Sequence, residues 1–105
     1  MNSVNFRTVL FGTGLMILII AAPGRGNAQA SSLYNSKCSV CHGAGGKGDT
    51  PAGKSMGVPD LTKSGKSAAE LRGIIEKGRN KMPAYGKSLK AQEIDGLVAY
   101  IKSLK

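Results

Sequence analysis

Tryptophan is absent from the chain, histidine occurs once, cysteine twice, and six acidic residues face fifteen basic ones. Each shortage excludes something. A structural zinc site wants four nitrogen or sulfur ligands, and the Cys and His residues together number only three. One histidine leaves no distal acid–base pair for proton-transfer chemistry once it is used elsewhere. Beyond the first thirty residues the aromatics are only Tyr34, Tyr85 and Tyr100, which make no stacking platform for nucleic acid. No strand pattern and no internal repeat is evident. Without a sheet the two cysteines do not read as a thioredoxin-like pair. Gly46-Lys47-Gly48 lacks the preceding strand and the Ser or Thr that a phosphate loop requires.

What is present is concentrated in Cys38-Ser39-Val40-Cys41-His42, the C-x-x-C-H order that marks covalent haem attachment. Residues i and i+3 share one face of a helical turn, so both thiols can reach along one side of a porphyrin. His42 follows directly and can turn its ring to the iron. A disulfide between Cys38 and Cys41 is the competing reading for an exported chain, but it closes a tight loop and leaves His42 unexplained.

A haem iron then needs a sixth ligand or an open site. Met82 is the candidate. Pro83 follows it, fixes its own φ and biases Met82 toward extended backbone, which stiffens the loop. Met56 sits in the flexible, polar run Lys54-Ser55-Met56-Gly57. Met1 and Met16 belong to the N-terminal segment.

A chain of 105 residues allows one domain. Residues 1–30 read as a signal peptide. Arg7 supplies a thin positive start, Val9 to Ala22 is apolar but interrupted by Gly12, Thr13 and Gly14, and Ala28-Gln29-Ala30 is an A-x-A cleavage signal. Gly26-Asn27-Ala28 is a second option, and an uncleaved anchor is the alternative. Residues 31–105 form the domain. That is about 75 residues, a size whose core is marginal without a staple. Removing Arg7 and Arg25 changes the charge from +9 to +7. Such a basic exported protein suits an acidic docking surface on a partner.

Helices are expected over Ser31 to about His42, from Ala68 to Gly78, and from Ala91 to Leu104. Ser67-Ala68-Ala69-Glu70 has the form of a capping box. Leu71, Ile74 and Ile75 recur at i, i+3, i+4, and Gly78 is a natural stop. Ile94, Leu97, Val98 and Ile101 form the last stripe. Lys90 is a poor N-cap, which makes Ser88 an alternative start. Gly43 to Met56 reads as a loop.

Taken together, Tyr34, the haem motif, Gly43-Ala44-Gly45-Gly46-Lys47-Gly48-Asp49, Val58-Pro59-Asp60-Leu61-Thr62, Met82-Pro83 and the last helix resemble the small class I c-type cytochromes of bacteria. The resemblance runs from about Leu33 to Leu104. It implies an all-α fold of about three to four helices wrapped around one haem c, joined covalently through Cys38 and Cys41. It also implies iron ligands His42 and Met82, a Pro59 carbonyl accepting from the histidine Nδ1–H, and Leu61 packed on the haem. The first helix should cross the last, with Tyr34 near Leu97 and Tyr100. With both axial positions filled, the expected role is electron transfer, not enzymatic catalysis. The carrier is expected to be a periplasmic monomer that binds no nucleic acid and, once the signal is cleaved, has no stable membrane insertion, serving oxidases, reductases or dehydrogenases. The rival roles are a cytochrome subunit of a periplasmic oxidoreductase complex and a gas-binding or peroxidatic haem protein.

Overall fold

A computed structural model describes residues 25–105 and, before them, only Gly14 and Ile17. The n-region at Arg7 and nearly all of the apolar run Val9 to Ala22 lie outside the described residues. Among the described residues no helix is long and apolar enough to cross a membrane.

The described residues form five α-helices and one 3-10 turn, with no strand, only an isolated bridge between Arg79 and Met82. The all-α expectation holds. Helix α1 (Arg25–Lys37) begins six residues before the expected Ser31, and the expected single helix is split at Cys38 into α1 and α2 (Ser39–His42). A local cause is visible. The Ser39 hydroxyl donates to the Asn35 carbonyl at 2.6 Å, and such back-bonding to i−4 bends helices. Gly43, at φ 81°, then ends α2.

The stretch read as a loop contains α3 (Pro51–Met56). Its signals are all short-range. Thr50 is the N-cap and accepts from the Gly53 amide, Pro51 occupies the first turn, and Gly57 closes the helix in the left-handed region. The surrounding glycines and lysines mask these signals in a compositional reading. A 3-10 turn at Leu61–Lys63 follows, capped by Asp60, whose carboxylate accepts from the Thr62 amide at 2.9 Å and hydroxyl at 2.6 Å.

Helix α4 (Ala68–Lys77) carries the expected capping box. Glu70 accepts from the Ser67 amide at 2.7 Å, and the Ser67 hydroxyl accepts from the Glu70 amide at 3.2 Å. Helix α5 (Ala91–Ser103) starts after Lys90, not at Ser88. The Ser88 hydroxyl donates instead to the Tyr85 carbonyl at 3.4 Å. An ammonium group cannot accept an amide proton, so only half of a capping box operates here: Glu93 accepts from the Lys90 amide at 2.9 Å.

Helix α5 is the centre of the packing. Its stripe Ile94, Leu97, Val98 and Ile101 is buried, together with Leu71 and Ile75 of α4 and Tyr34 of α1. Tyr34 has no exposed surface. Its ring meets Tyr100 with centroids 5.0 Å apart and planes tilted by 49°, an offset arrangement that aromatic pairs favour. Ala30 is buried, and a Cβ built on Gly96 would lie 3.5 Å from the Ala30 Cβ, so small residues let α1 and α5 cross closely. At the surface, Arg72 of α4 pairs with Asp95 of α5. Burying one large aliphatic side chain contributes about 1.5–3 kcal/mol. Eight buried hydrophobic residues among those described are a small store against chain entropy.

Candidate haem site

Helix α2 presents the motif. Cys38 stands at the break before it, and Cys41 and His42 occupy its last turn. All three side chains are partly buried, and both cysteines are free thiols. Burial pushes the Cys38 thiol up to about 11, because a desolvated thiolate is disfavoured. Burial likewise lowers the pKa of His42 and favours its neutral imidazole, the form that binds metal. Its Nδ1 is buried without a hydrogen-bond partner. The bond expected from this nitrogen to the Pro59 carbonyl is therefore not made in this structure.

Pro59 is nonetheless one residue removed from the histidine, through Gly48. The Gly48 amide donates to the His42 carbonyl at 2.7 Å. A Cβ on Gly48 would sit 2.5 Å from the Val58 carbonyl oxygen and 3.5 Å from that of Pro59. Gly48 also has φ 65°, so both conformation and clearance call for glycine. Leu61, next along, is partly buried and packs against the core cluster. Its amide donates to the Gly46 carbonyl at 2.7 Å.

The Met82 loop approaches from the end of α4. Arg79 and Met82 exchange backbone hydrogen bonds of 3.2 and 2.9 Å around a tight turn in which Asn80 adopts φ 53°. Asparagine is among the few side chains that tolerate this region. Gly78 lets the returning chain come close, since a Cβ there would stand 2.6 Å from the Met82 carbonyl oxygen. Beyond Pro83 the loop is pinned to α4 by the Tyr85 amide on Ile75 at 2.9 Å and the Gly86 amide on Glu76 at 3.0 Å. Met82 is partly buried, and both it and Cys38 pack against the same hydrophobic cluster. Tyr85 links the two sides. Its hydroxyl donates to the Lys37 carbonyl at 3.4 Å, and its pKa is raised by burial and by the neighbouring sulfurs of Cys38 and Cys41. Met56, the other methionine of the domain, is the last residue of α3.

These residues fit a haem. Two free thiols and an imidazole whose buried Nδ1 has no partner lie within five residues, while among the described residues no group of three or more His, Cys, Asp and Glu could hold a bare metal ion. Sequence reasoning missed the contributions of Gly48, Thr50 and Gly53. It also missed the Tyr34 hydroxyl, which donates to the Gly43 carbonyl at 2.8 Å inside the core. A Thr-Pro pair followed by glycine was the only available sign of the first group.

A helical chain wrapped about a Cys-x-x-Cys-His turn defines a c-type cytochrome. Residues 26–101 match the family described as cytochrome c oxidase, cbb3-type, subunit III; the chain belongs to this family and is a small class I c-type cytochrome. A cytochrome c6 from Nostoc sp. (strain PCC 7120) is 31% identical over 99 residues, covering 91% of this chain and 88% of the relative. The solved cytochrome c6 of the diatom Phaeodactylum tricornutum superposes with a TM-score of 0.54 at 25% identity, over 70% of this chain and 87% of that one. The KustC0563 c-type cytochrome has the same fold, with a TM-score of 0.67 at 23% identity over 72% of this chain and 96% of that one. The family's cofactor is covalently bound haem c, for which Cys38 and Cys41 supply the two thiols. Electron transfer by a single haem is its function.

Proposed function

We propose that His42 and Met82 are the axial ligands of the haem iron. On this reading the chain is a one-electron carrier between larger redox proteins in the periplasm. The observation that carries it is the convergence of the two ligand-bearing segments. Cys38, just ahead of α2, and Met82 pack against one hydrophobic cluster, and Tyr85 of the Met82 loop bonds the Lys37 carbonyl immediately before Cys38. When bound, haem c supplies a one-electron Fe(III)/Fe(II) couple. His42 enters neutral, so it can ligate without first losing a proton. Met82 is a soft ligand that favours the reduced iron. Together they leave no open position for oxygen or peroxide. Pro59 is proposed to accept the His42 Nδ1–H once the ring is ligated, which would orient the ring and raise its basicity. Leu61 and the buried face of α4 keep water from the ring.

The chain is proposed to be exported through its N-terminal segment. Burial of Ala30 against α5 favours cleavage after Ala28, which leaves Ala30 in the mature protein, over cleavage after Ala30. The basic surface favours partners with acidic docking faces, and Lys81, exposed beside Met82, is well situated for steering.

An optical spectrum of the haem-loaded protein tests the ligation. A far-red sulfur-to-iron band in the oxidised form, lost in Met82→Ala, with no carbon monoxide response in the reduced form, is the expected result. An absent band with ready carbon monoxide binding would replace the carrier reading with ligand sensing or peroxidatic chemistry.

A second reading has its own support. The matched family is described as an oxidase subunit, which favours a role as the cytochrome subunit of a periplasmic oxidoreductase complex. Stoichiometric co-purification with a catalytic subunit would select it over a free carrier.

A further inference from the structure

Gly43 to Gly57 is the longest stretch to which electron transfer assigns no task, yet it is bonded to the haem motif at every level. Helix α2 has only four residues, too few to stand alone, and its last carbonyls have no partners within the helix. All of them are met from outside. The Ser39 carbonyl accepts from the Gly43 amide at 2.8 Å, and the His42 carbonyl accepts from the Gly48 amide at 2.7 Å. The Thr50 hydroxyl serves the two between, lying 2.8 Å from the Val40 carbonyl and 3.1 Å from the Cys41 carbonyl. It has one proton, which these oxygens share. The same oxygen accepts from the Gly53 amide at 2.9 Å and so caps α3.

Gly53 is a second, independent sign that the two helices are locked. It is buried, and a Cβ there would run into the Cys41 carbonyl oxygen and approach those of Gly48 at 2.7 Å and Thr50 Oγ1 at 3.0 Å. The contact of α3 with α2 is therefore backbone against backbone. The Gly53 carbonyl in turn accepts from the Val58 amide at 2.9 Å, which carries the restraint to the residue before Pro59.

We propose that Thr50 is the positioning residue of the haem histidine: its hydroxyl, held by the buried Gly53 turn, grips the Val40 and Cys41 carbonyls and sets the orientation of His42. This rests on His42 being an iron ligand. The Thr50 hydroxyl bonds backbone atoms only. It acts through the backbone that immediately precedes His42, where a small tilt of α2 rotates the imidazole plane.

The test compares Thr50→Val, which keeps the shape and removes the donor, with Thr50→Ser, which keeps the donor. Both are read in the haem-loaded oxidised protein by the hyperfine-shifted haem methyl resonances and the ferric g-values, which report the orientation of the axial imidazole. Thr50→Val should displace both signatures from wild type, and Thr50→Ser should restore them. Unchanged signatures in Thr50→Val would overturn the proposal even if that variant melts earlier. A Thr50→Ser protein displaced as far as Thr50→Val would also overturn it, because packing of the methyl would then be the cause. Should Thr50→Val fail to accumulate, hydrogen exchange in the wild-type protein decides. The Gly53 amide should be as protected as the Gly48 amide, and rapid exchange at Gly53 alone would sink the idea. A wild-type protein without histidine ligation would show itself first, in its own spectrum, and would overturn both readings.

Discussion

The Tyr85 hydroxyl donates to the Lys37 carbonyl, closing 48 residues of chain at a distance of 3.4 Å. Lys37 is the last residue of α1 and immediately precedes Cys38, while Tyr85 lies three residues past Met82. One phenol thus joins the cysteine side of the site to the methionine side. The bond is long, so its net contribution is at or below the ordinary ~0.5–1.5 kcal/mol of a hydrogen bond. Tyr85→Phe should therefore melt only slightly earlier. It should also bind cyanide faster in the oxidised state, because the Met82 loop opens more often. Stopped-flow mixing checks this, and a rate equal to wild type would show that the loop is held by its two backbone bonds to α4 alone.

The capping box of α4 predicts a stability difference with a defined sign. Ser67→Ala should cost about 1 kcal/mol, the usual value for a lost N-cap. Glu70 is held below its ordinary 4.5 chiefly by the hydrogen bond from the Ser67 backbone amide. A depressed carboxylate contributes stability above that value, and the contribution is lost as pH falls through the lower folded value. The melting difference between wild type and Glu70→Gln should thus be present at pH 7 and shrink in acid below pH 4.5. A constant difference across that range would mean that the charge of Glu70 plays no part.

The α1–α5 crossing makes opposite forecasts for its two small residues. A methyl on Gly96 would find the Ala30 Cβ at 3.5 Å, an ordinary contact. Gly96→Ala should be tolerated and gain up to ~1 kcal/mol of helix propensity. Ala30→Leu overpacks a buried position and should cost about 1–3 kcal/mol. Denaturant titration of the haem-loaded protein measures both. The intact mass of the exported protein should include Ala30, and a mass beginning at Ser31 would rule out any role for that residue in the mature fold.

Removing the haem should remove the fold. Among the described residues the buried hydrophobic set is Ala30, Tyr34, Leu71, Ile75, Ile94, Leu97, Val98 and Ile101, a marginal core for a domain of this size. Circular dichroism of the apoprotein is expected to lose most helical signal and any cooperative melt. A sharply melting apoprotein would show that the helix crossing suffices by itself.

Lys81→Glu should slow association with an acidic redox partner at low salt and have little effect at high salt, since exposed charges are screened. Stopped-flow electron transfer over a salt series measures this. A salt-independent deficit would locate the effect in the contact itself rather than in steering.

Much of this was legible in short sequence windows. The haem motif, the Ser67–Glu70 box, the stop at Gly78 and the α5 stripe each depend on residues within one or two helical turns, where spacing alone decides which side chains can meet. The family resemblance extended that reading to Tyr34, and the structure bears it out in the ring contact with Tyr100. Other features depended on partners that no local window contains. Lys90 looks like a failed cap until Glu93 supplies the other half. The break at Cys38 depends on a hydroxyl turning back to Asn35. The glycine-rich run looked like a plain loop because glycine and lysine carry no hydrophobic period. Its order comes from the Val40, Cys41 and His42 carbonyls, which needed donors and found them at Gly48 and Thr50. Residue type and spacing thus determined the chemistry the chain can hold. Tertiary structure alone decided how that chemistry is oriented, because backbone groups left unpaired at a helix end take whatever donor the fold brings within 3 Å or so.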